Sequence, residues 1–199
     1  MISALRPSVG RFLSEPIVNA IARTGVSPNA LTITGFLFSA VTAWFLAEGH
    51  LLAGGLMVLF SAWFDMLDGA LAKIKQRTTR FGALLDSSLD RVSEAALFLG
   101  LLLFYADRHD TGAQVLIYAA LVGSFMVSYI RARADSLGID AEVGILARPE
   151  RVVLLALGLL LTEVWSDALV AVLWVLAVGT NLTALRRLLY SRQQCERDR

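Results

Sequence analysis

Six apolar runs, at 29–47, 51–72, 82–106, 113–133, 150–164 and 167–189, are separated only by polar joins, the longest of them 134–147. A bilayer core takes about 20 helical residues to cross, so runs of this length and continuity predict membrane-spanning helices. They lack the period-two alternation that a membrane β-barrel strand requires. The expected fold is an all-α integral membrane protein with six transmembrane helices. Composition agrees, because 56% of the 199 residues are hydrophobic and the mean hydropathy is +0.63, more apolar than an ordinary soluble domain. A single membrane domain over 1–199 is expected, with a juxtamembrane helix at 1–27, a six-helix core at 28–190 and a basic tail at 191–199.

Charge distribution orients these helices. Residues 1–27 carry Arg6, Arg11 and Arg23 among apolar residues at helical spacing, which predicts an interfacial amphipathic helix broken near Ser14-Glu15-Pro16. No continuous apolar core follows those charges, so the segment does not read as a signal peptide. Lys73, Lys75, Arg77 and Arg80 join the second and third runs; Arg131, Arg133, Arg148 and Arg151 bracket the join between the fourth and fifth; Arg186, Arg187, Arg192, Arg197 and Arg199 close the chain. The alternate joins hold a lone basic residue, Arg108. The positive-inside rule therefore places both termini in the cytoplasm. Cys195, the only cysteine, lies in the polar tail, so no internal disulfide is possible.

Against this apolar background, Asp65, Asp68, Asp86 and Asp90 stand out. Residues three or four apart on a helix share a face, about 5–6 Å apart at Cβ, so the four aspartates fall into two pairs. If 73–80 turns the chain, Asp68 comes level with Asp86 or Ser87, and Asp65 level with Asp90. Four buried negative charges need cations or protons. Two divalent ions would neutralise them, and oxygen-only ligation favours Mg2+ or Mn2+ over zinc.

The stretch reads D-x2-D-G-x2-A-K-x8-G-x3-D-x3-D. It resembles the signature of the CDP-alcohol phosphotransferase family at every position except Lys73, where that family usually carries arginine. The resemblance implies transfer of a substituted phosphate from a CDP-linked alcohol, such as CDP-diacylglycerol, to an acceptor hydroxyl, with release of CMP and two bound divalent cations. It implies Asp65, Asp68, Asp86 and Asp90 as metal ligands, with Asp90 also the general base. Gly69, Lys73 and Gly82, together with Thr79 and the turn Asn29-Ala30-Leu31-Thr32, would contact the CDP-lipid. Helix capping alone also explains Thr79 and the 29–32 turn, and close helix packing also explains Gly82. The orientation set by the basic residues turns the carboxylates, about two helical turns from Lys73, toward the cytoplasm, expected to be that of a prokaryotic cell; a homodimer is what the resemblance implies.

A second constellation concerns the acceptor. Ser128-Tyr129-Ile130-Arg131-Ala132-Arg133 and Arg148-Pro149-Glu150-Arg151 set four arginines at the cytoplasmic ends of the fourth and fifth runs. Such arginines often only snorkel to lipid headgroups, but beside the aspartates they suit a phosphate monoester, which arginine forks grip. Arg131, Arg133, Arg148 and Arg151 are thus the candidate acceptor-phosphate ligands. The pattern is similar to the phosphatidylinositol-phosphate synthase branch of the family, and implies inositol phosphate as acceptor. Glycerol 3-phosphate is the alternative within the family.

Carboxylates inside membrane helices also mark ion pathways, so a cation- or proton-coupled transporter is the reading of another class. No second acidic group in the other half of the chain supports it. Arg91 and Glu94, three residues apart just past Asp90, are placed to pair with one another, orienting the base or neutralising each other. The basic tail is expected to touch anionic lipid; nothing supports nucleic-acid binding.

Overall fold

The computed structural model describes residues 27–74 and 79–197, giving the backbone alone at 28, 65–74 and 197. The amphipathic helix expected over 1–27 falls, save for Ser27, outside the described residues, as does the middle of the basic turn. Six helices follow: α1 Pro28–Ala47, α2 Leu51–Ile74, α3 Arg80–Asp107, α4 Thr111–Asp135, α5 Arg148–Leu161 and α6 Ala168–Arg197. Each covers most or all of one apolar run, α6 continuing past the expected end at 189 through the basic stretch to Arg197, and no strand occurs among the described residues.

Local chemistry fixes where several of these helices begin. Ser27 Oγ accepts the Ala30 N–H at 3.2 Å, with Pro28 in the first turn, which satisfies a donor the helix cannot use internally. Thr79 does the same for Gly82 at 2.9 Å and Asp110 for Ala113 at 3.0 Å. α5 has no side-chain cap and only 14 residues, or about 21 Å of rise, short of a bilayer core.

The burial pattern is that of a protein solvated by lipid. Among the described residues, Asn29–Ala47, Thr111–Asp135 and Ala168–Glu196 are helical stretches long and apolar enough to cross a membrane. Their outward faces carry large apolar side chains, Leu37, Val41, Trp44, Val115, Trp174 and Val178 among them. Meanwhile Ser39, Thr42, Ser124, Thr180, Thr183 and Arg187 lie buried. Several hydroxyls return a hydrogen bond to the carbonyl one turn back, as Thr42 does to Phe38 and Thr183 to Gly179, the usual way a membrane helix satisfies them.

Helix packing runs in a closed circuit, α1 to α3 to α4 to α6 to α5 to α2 and back to α1. Two contacts in it are especially close. A Cβ added at Gly100 would overlap the Ala43 carbonyl, and one at Gly123 would overlap Thr180 Oγ1, so small residues let α1 meet α3 and α4 meet α6. α3 and α5 are not neighbours in this circuit. They are joined across it, where the arginines of α5 reach the carboxylates of α3.

Candidate active site

The two halves of the acidic motif lie on different helices. Asp65, Asp68, Gly69 and Lys73 fall in the C-terminal part of α2, where only the backbone is described. Asp86 and Asp90 stand four residues apart on α3, with Asp86 exposed and Asp90 part-buried. Helical spacing sets both on one face. The start of α1 comes to the start of α3, since a Cβ built on Gly82 would sit 2.9 Å from Thr79 Oγ1 and 3.0 Å from Asn29 Oδ1. Of the residues expected at the CDP-lipid site, Asn29 and Thr79 therefore both lie close beside a third, Gly82. Leu31, by contrast, is buried in the helix interface at 5% exposure, and Ala30 is exposed.

Beside Asp90 opens a cavity of about 140 Å3 lined by Asp90, Arg91, Glu94, Val127, Ser128, Arg131, Ala147, Arg148, Arg151 and Arg187. It draws side chains from α3, α4, α5 and α6, and it contains most of the charge in the described interior. Arg148 Nη2 lies 2.9 Å from Asp90 Oδ1. Arg131 also lines it, and meets the exposed Glu142 carboxylate at 3.3 Å. The arginines at 131 and 148 thus reach the cavity expected of them, but the other two differ.

Arg133 is exposed, bonds Ser136 Oγ at 3.3 Å and is absent from the cavity wall. The reason is helical geometry: two residues beyond Arg131, it points to another face of α4. Arg151 does line the cavity but is only 2% exposed, and its fork is occupied. Nε and Nη2 bond the two oxygens of Glu94 at 2.6 and 2.8 Å, while Nη1 donates to the Leu146 carbonyl at 3.2 Å. Glu94 is accordingly not the partner of Arg91, which donates instead to the Ser87 carbonyl on its own helix. The expected local pair gives way to a bidentate one across the bundle, which desolvates both charges together.

Arg187 is the site residue that the sequence reading does not single out. It is 4% exposed on α6, and donates to the carbonyls of Val143 and Val127, each at 2.8 Å. Both acceptors are uncharged, so its positive charge in the cavity wall is not neutralised by them. The signal is present in the sequence as Thr180, Thr183 and Arg187, polar positions at helical spacing in the C-terminal half of a largely apolar run.

Fold and site together define a helical membrane protein whose interior cavity sets a carboxylate against a cluster of arginines. The chain belongs to the CDP-alcohol phosphatidyltransferase family, whose model matches residues 25–182. It is a transferase of that class, and the transporter reading falls with this membership. The chain is 37% identical over 182 residues to the phosphatidylinositol phosphate synthase of Mycobacterium tuberculosis, covering 88% of this chain and 84% of that protein. Two crystal structures of that synthase resemble it over most of its length. The one with CDP-DAG bound has a TM-score of 0.84 at 36% identity, covering 89% of this chain and 92% of that one. The one in complex with manganese and citrate has a TM-score of 0.82, also at 36%, covering 89% and 88%. The archaetidylinositol phosphate synthase of Methanothermobacter thermautotrophicus is 36% identical over 198 residues, covering 98% of this chain and 95% of that protein.

Proposed function

We propose that the protein transfers the phosphatidyl group of CDP-diacylglycerol to a hydroxyl of inositol phosphate, releasing CMP. The observation that carries this reading is that Asp90, the candidate base, and the arginines suited to a phosphate open onto one cavity. A phosphate held by Arg131, Arg148 and Arg187 leaves the rest of a small polyol free to present a hydroxyl toward Asp90. The acceptor oxygen forms a bond to the lipid-bearing phosphorus, the bond from that phosphorus to the CMP oxygen breaks, and Asp90 takes the proton. Asn29 at the start of α1 and Thr79 and Gly82 at the start of α3 would receive the nucleotide, with Gly69 and Lys73 from α2 on the same assignment.

Divalent ions fit the donors present. Asp86 and Asp90 offer oxygen on successive turns of one helix, and no histidine or cysteine lines the cavity, a donor set suited to Mg2+ or Mn2+. Asp65 and Asp68 would complete it. The bound ions supply charge neutralisation at the diphosphate and orientation of attack.

On this reading the six helices form a membrane-embedded bundle with both termini cytoplasmic, an orientation supported by the placement of the basic residues, and the cavity opens to the cytoplasm of a prokaryotic cell. The test is CMP release by the purified protein with CDP-diacylglycerol and Mn2+ or Mg2+, comparing inositol phosphate, glycerol 3-phosphate, inositol and serine. Preference for inositol phosphate is expected. Preference for glycerol 3-phosphate would replace the acceptor and keep the reaction; a preference for serine would remove the phosphate-binding role of the arginines.

A further inference from the structure

Two ion pairs cross the bundle from α3 to α5, one helical turn apart. The outer one, Asp90 with Arg148, is part-exposed at 23% and 31%; the inner one, Glu94 with Arg151, is nearly sealed at 8% and 2%. The spacings match, since Glu94 follows Asp90 by four residues and Arg151 follows Arg148 by three, so both helices present successive turns to each other. α3 and α5 are not among the main helix contacts of the circuit, and among the described residues these ion pairs tie the carboxylate helix to the arginine helix.

The inner pair does more than join two helices. Nη1 of Arg151 also holds the Leu146 carbonyl, at the point where the 136–147 loop enters α5. That helix start has no side-chain cap of its own. The Leu146 N–H in turn reaches Thr183 Oγ1 at 3.5 Å, one turn from Arg187 on α6. A single buried carboxylate, through one guanidinium, therefore fixes the loop end and the first turn of α5 that carries Arg148. It also stands on the same helix face as Asp90.

We infer that Glu94 is a positioning residue for the acceptor: by occupying the Arg151 fork, it sets the distance between Asp90 and the arginines that hold the acceptor's phosphate. Arg151 contributes placement rather than charge to the bound phosphate, because Glu94 neutralises it through a bidentate pair that is nearly sealed. Of the residues assigned to the CDP-lipid, Thr79 and Gly82 lie at the start of α3, on the far side of Asp86, and Asn29 lies beside them at the start of α1; none of them bonds this pair. Loss of the pair accordingly weakens acceptor use and leaves CDP-lipid use in place. This inference rests on the acceptor reading above.

The experiment measures KM for inositol phosphate and for CDP-diacylglycerol, and kcat, in the full-length protein and in Glu94→Gln and Arg151→Lys variants, with CDP-diacylglycerol binding as a check of folding. Glu94→Gln keeps the shape and loses the charge; it is expected to raise the acceptor KM about tenfold or more while the CDP-diacylglycerol KM stays within about twofold. Arg151→Lys keeps the charge and loses the fork, and is expected to shift the acceptor KM the same way by a smaller factor. An unchanged acceptor KM in a variant that binds CDP-diacylglycerol normally overturns the inference. Equal rises in both KM values also overturn it, assigning the pair to the fold alone. If Glu94→Gln fails to bind CDP-diacylglycerol, Arg151→Lys decides by the same criteria; loss of binding in both again assigns the pair to the fold. Should the unaltered protein prefer glycerol 3-phosphate, the acceptor assignment fails by itself, and the two variants are judged on the KM for glycerol 3-phosphate.

Discussion

Arg148 Nη2 stands 2.9 Å from Asp90 Oδ1, at the boundary between the acidic and basic sides of the cavity. The carboxylate assigned as base and the guanidinium assigned to the acceptor's phosphate are therefore in direct contact. An acceptor bound through its phosphate at Arg148 delivers the remainder of the molecule beside Asp90.

Asp90→Asn removes the proton acceptor while keeping size and hydrogen-bonding capacity. CMP release is expected to fall by about 10²–10⁴-fold, the usual contribution of general base catalysis. CDP-diacylglycerol binding should persist. Turnover near that of the unaltered protein would take the role of base away from Asp90.

Arg187→Ala and Arg133→Ala form a contrasting pair. The first removes a buried guanidinium from the cavity wall and is expected to raise the KM for inositol phosphate about 10- to 100-fold, in line with a charged hydrogen bond worth about 1.5–3 kcal/mol. The second, outside the cavity, is expected to stay within about twofold. Equal KM values in the two variants would remove Arg187 from the site.

On the proposed acceptor site, Glu142 would compete with the acceptor's phosphate for Arg131. Their contact is 3.3 Å and both side chains are substantially exposed, so the pair is worth about 0–1 kcal/mol. Glu142→Gln is therefore expected to lower the KM for inositol phosphate, by about fivefold at most. A raised KM would show that Glu142 assists the acceptor.

Gly100→Ala tests the packing of the bundle. Its Cβ would overlap the Ala43 backbone carbonyl, which no side-chain rotation can relieve. Overpacking of this kind costs about 1–3 kcal/mol, to be read as a melting temperature several degrees lower in detergent. An unchanged melting temperature would mean that α1 and α3 are not held at this separation.

Much of the architecture could be read before the structure, because bilayer thickness imposes a length on each apolar run. The helix ends at Ala47, Asp107 and Asp135 fall within two residues of the expected boundaries. The site was legible where chemistry and spacing coincide, as with Asp86 and Asp90 on α3. It was less so where partners are distant in sequence. Glu94 and Arg151 are 57 residues apart, whereas Arg91 stood nearby as a local alternative that satisfies the same charge rule. Arg187 was obscured for a different reason, because the positive-inside rule already accounts for a basic residue at the end of α6. Arg133 illustrates the converse: grouping it with Arg131 by charge ignored that residues two apart on a helix face apart.

Metal removal addresses the carboxylates together. EDTA is expected to abolish CMP release, and added Mg2+ or Mn2+ to restore it. Since ions that bind only the folded state stabilise it, the melting temperature should also rise on their return. Activity surviving complete chelation would set the ligand assignment aside.

The most direct measurement is the identity of the lipid formed. Purified protein with CDP-diacylglycerol, inositol phosphate and Mn2+ should yield phosphatidylinositol phosphate by mass spectrometry, in one-to-one ratio with CMP, and none in the Asp90→Asn variant. CMP release without that lipid would contradict the account, as would the same lipid formed at full rate by Asp90→Asn.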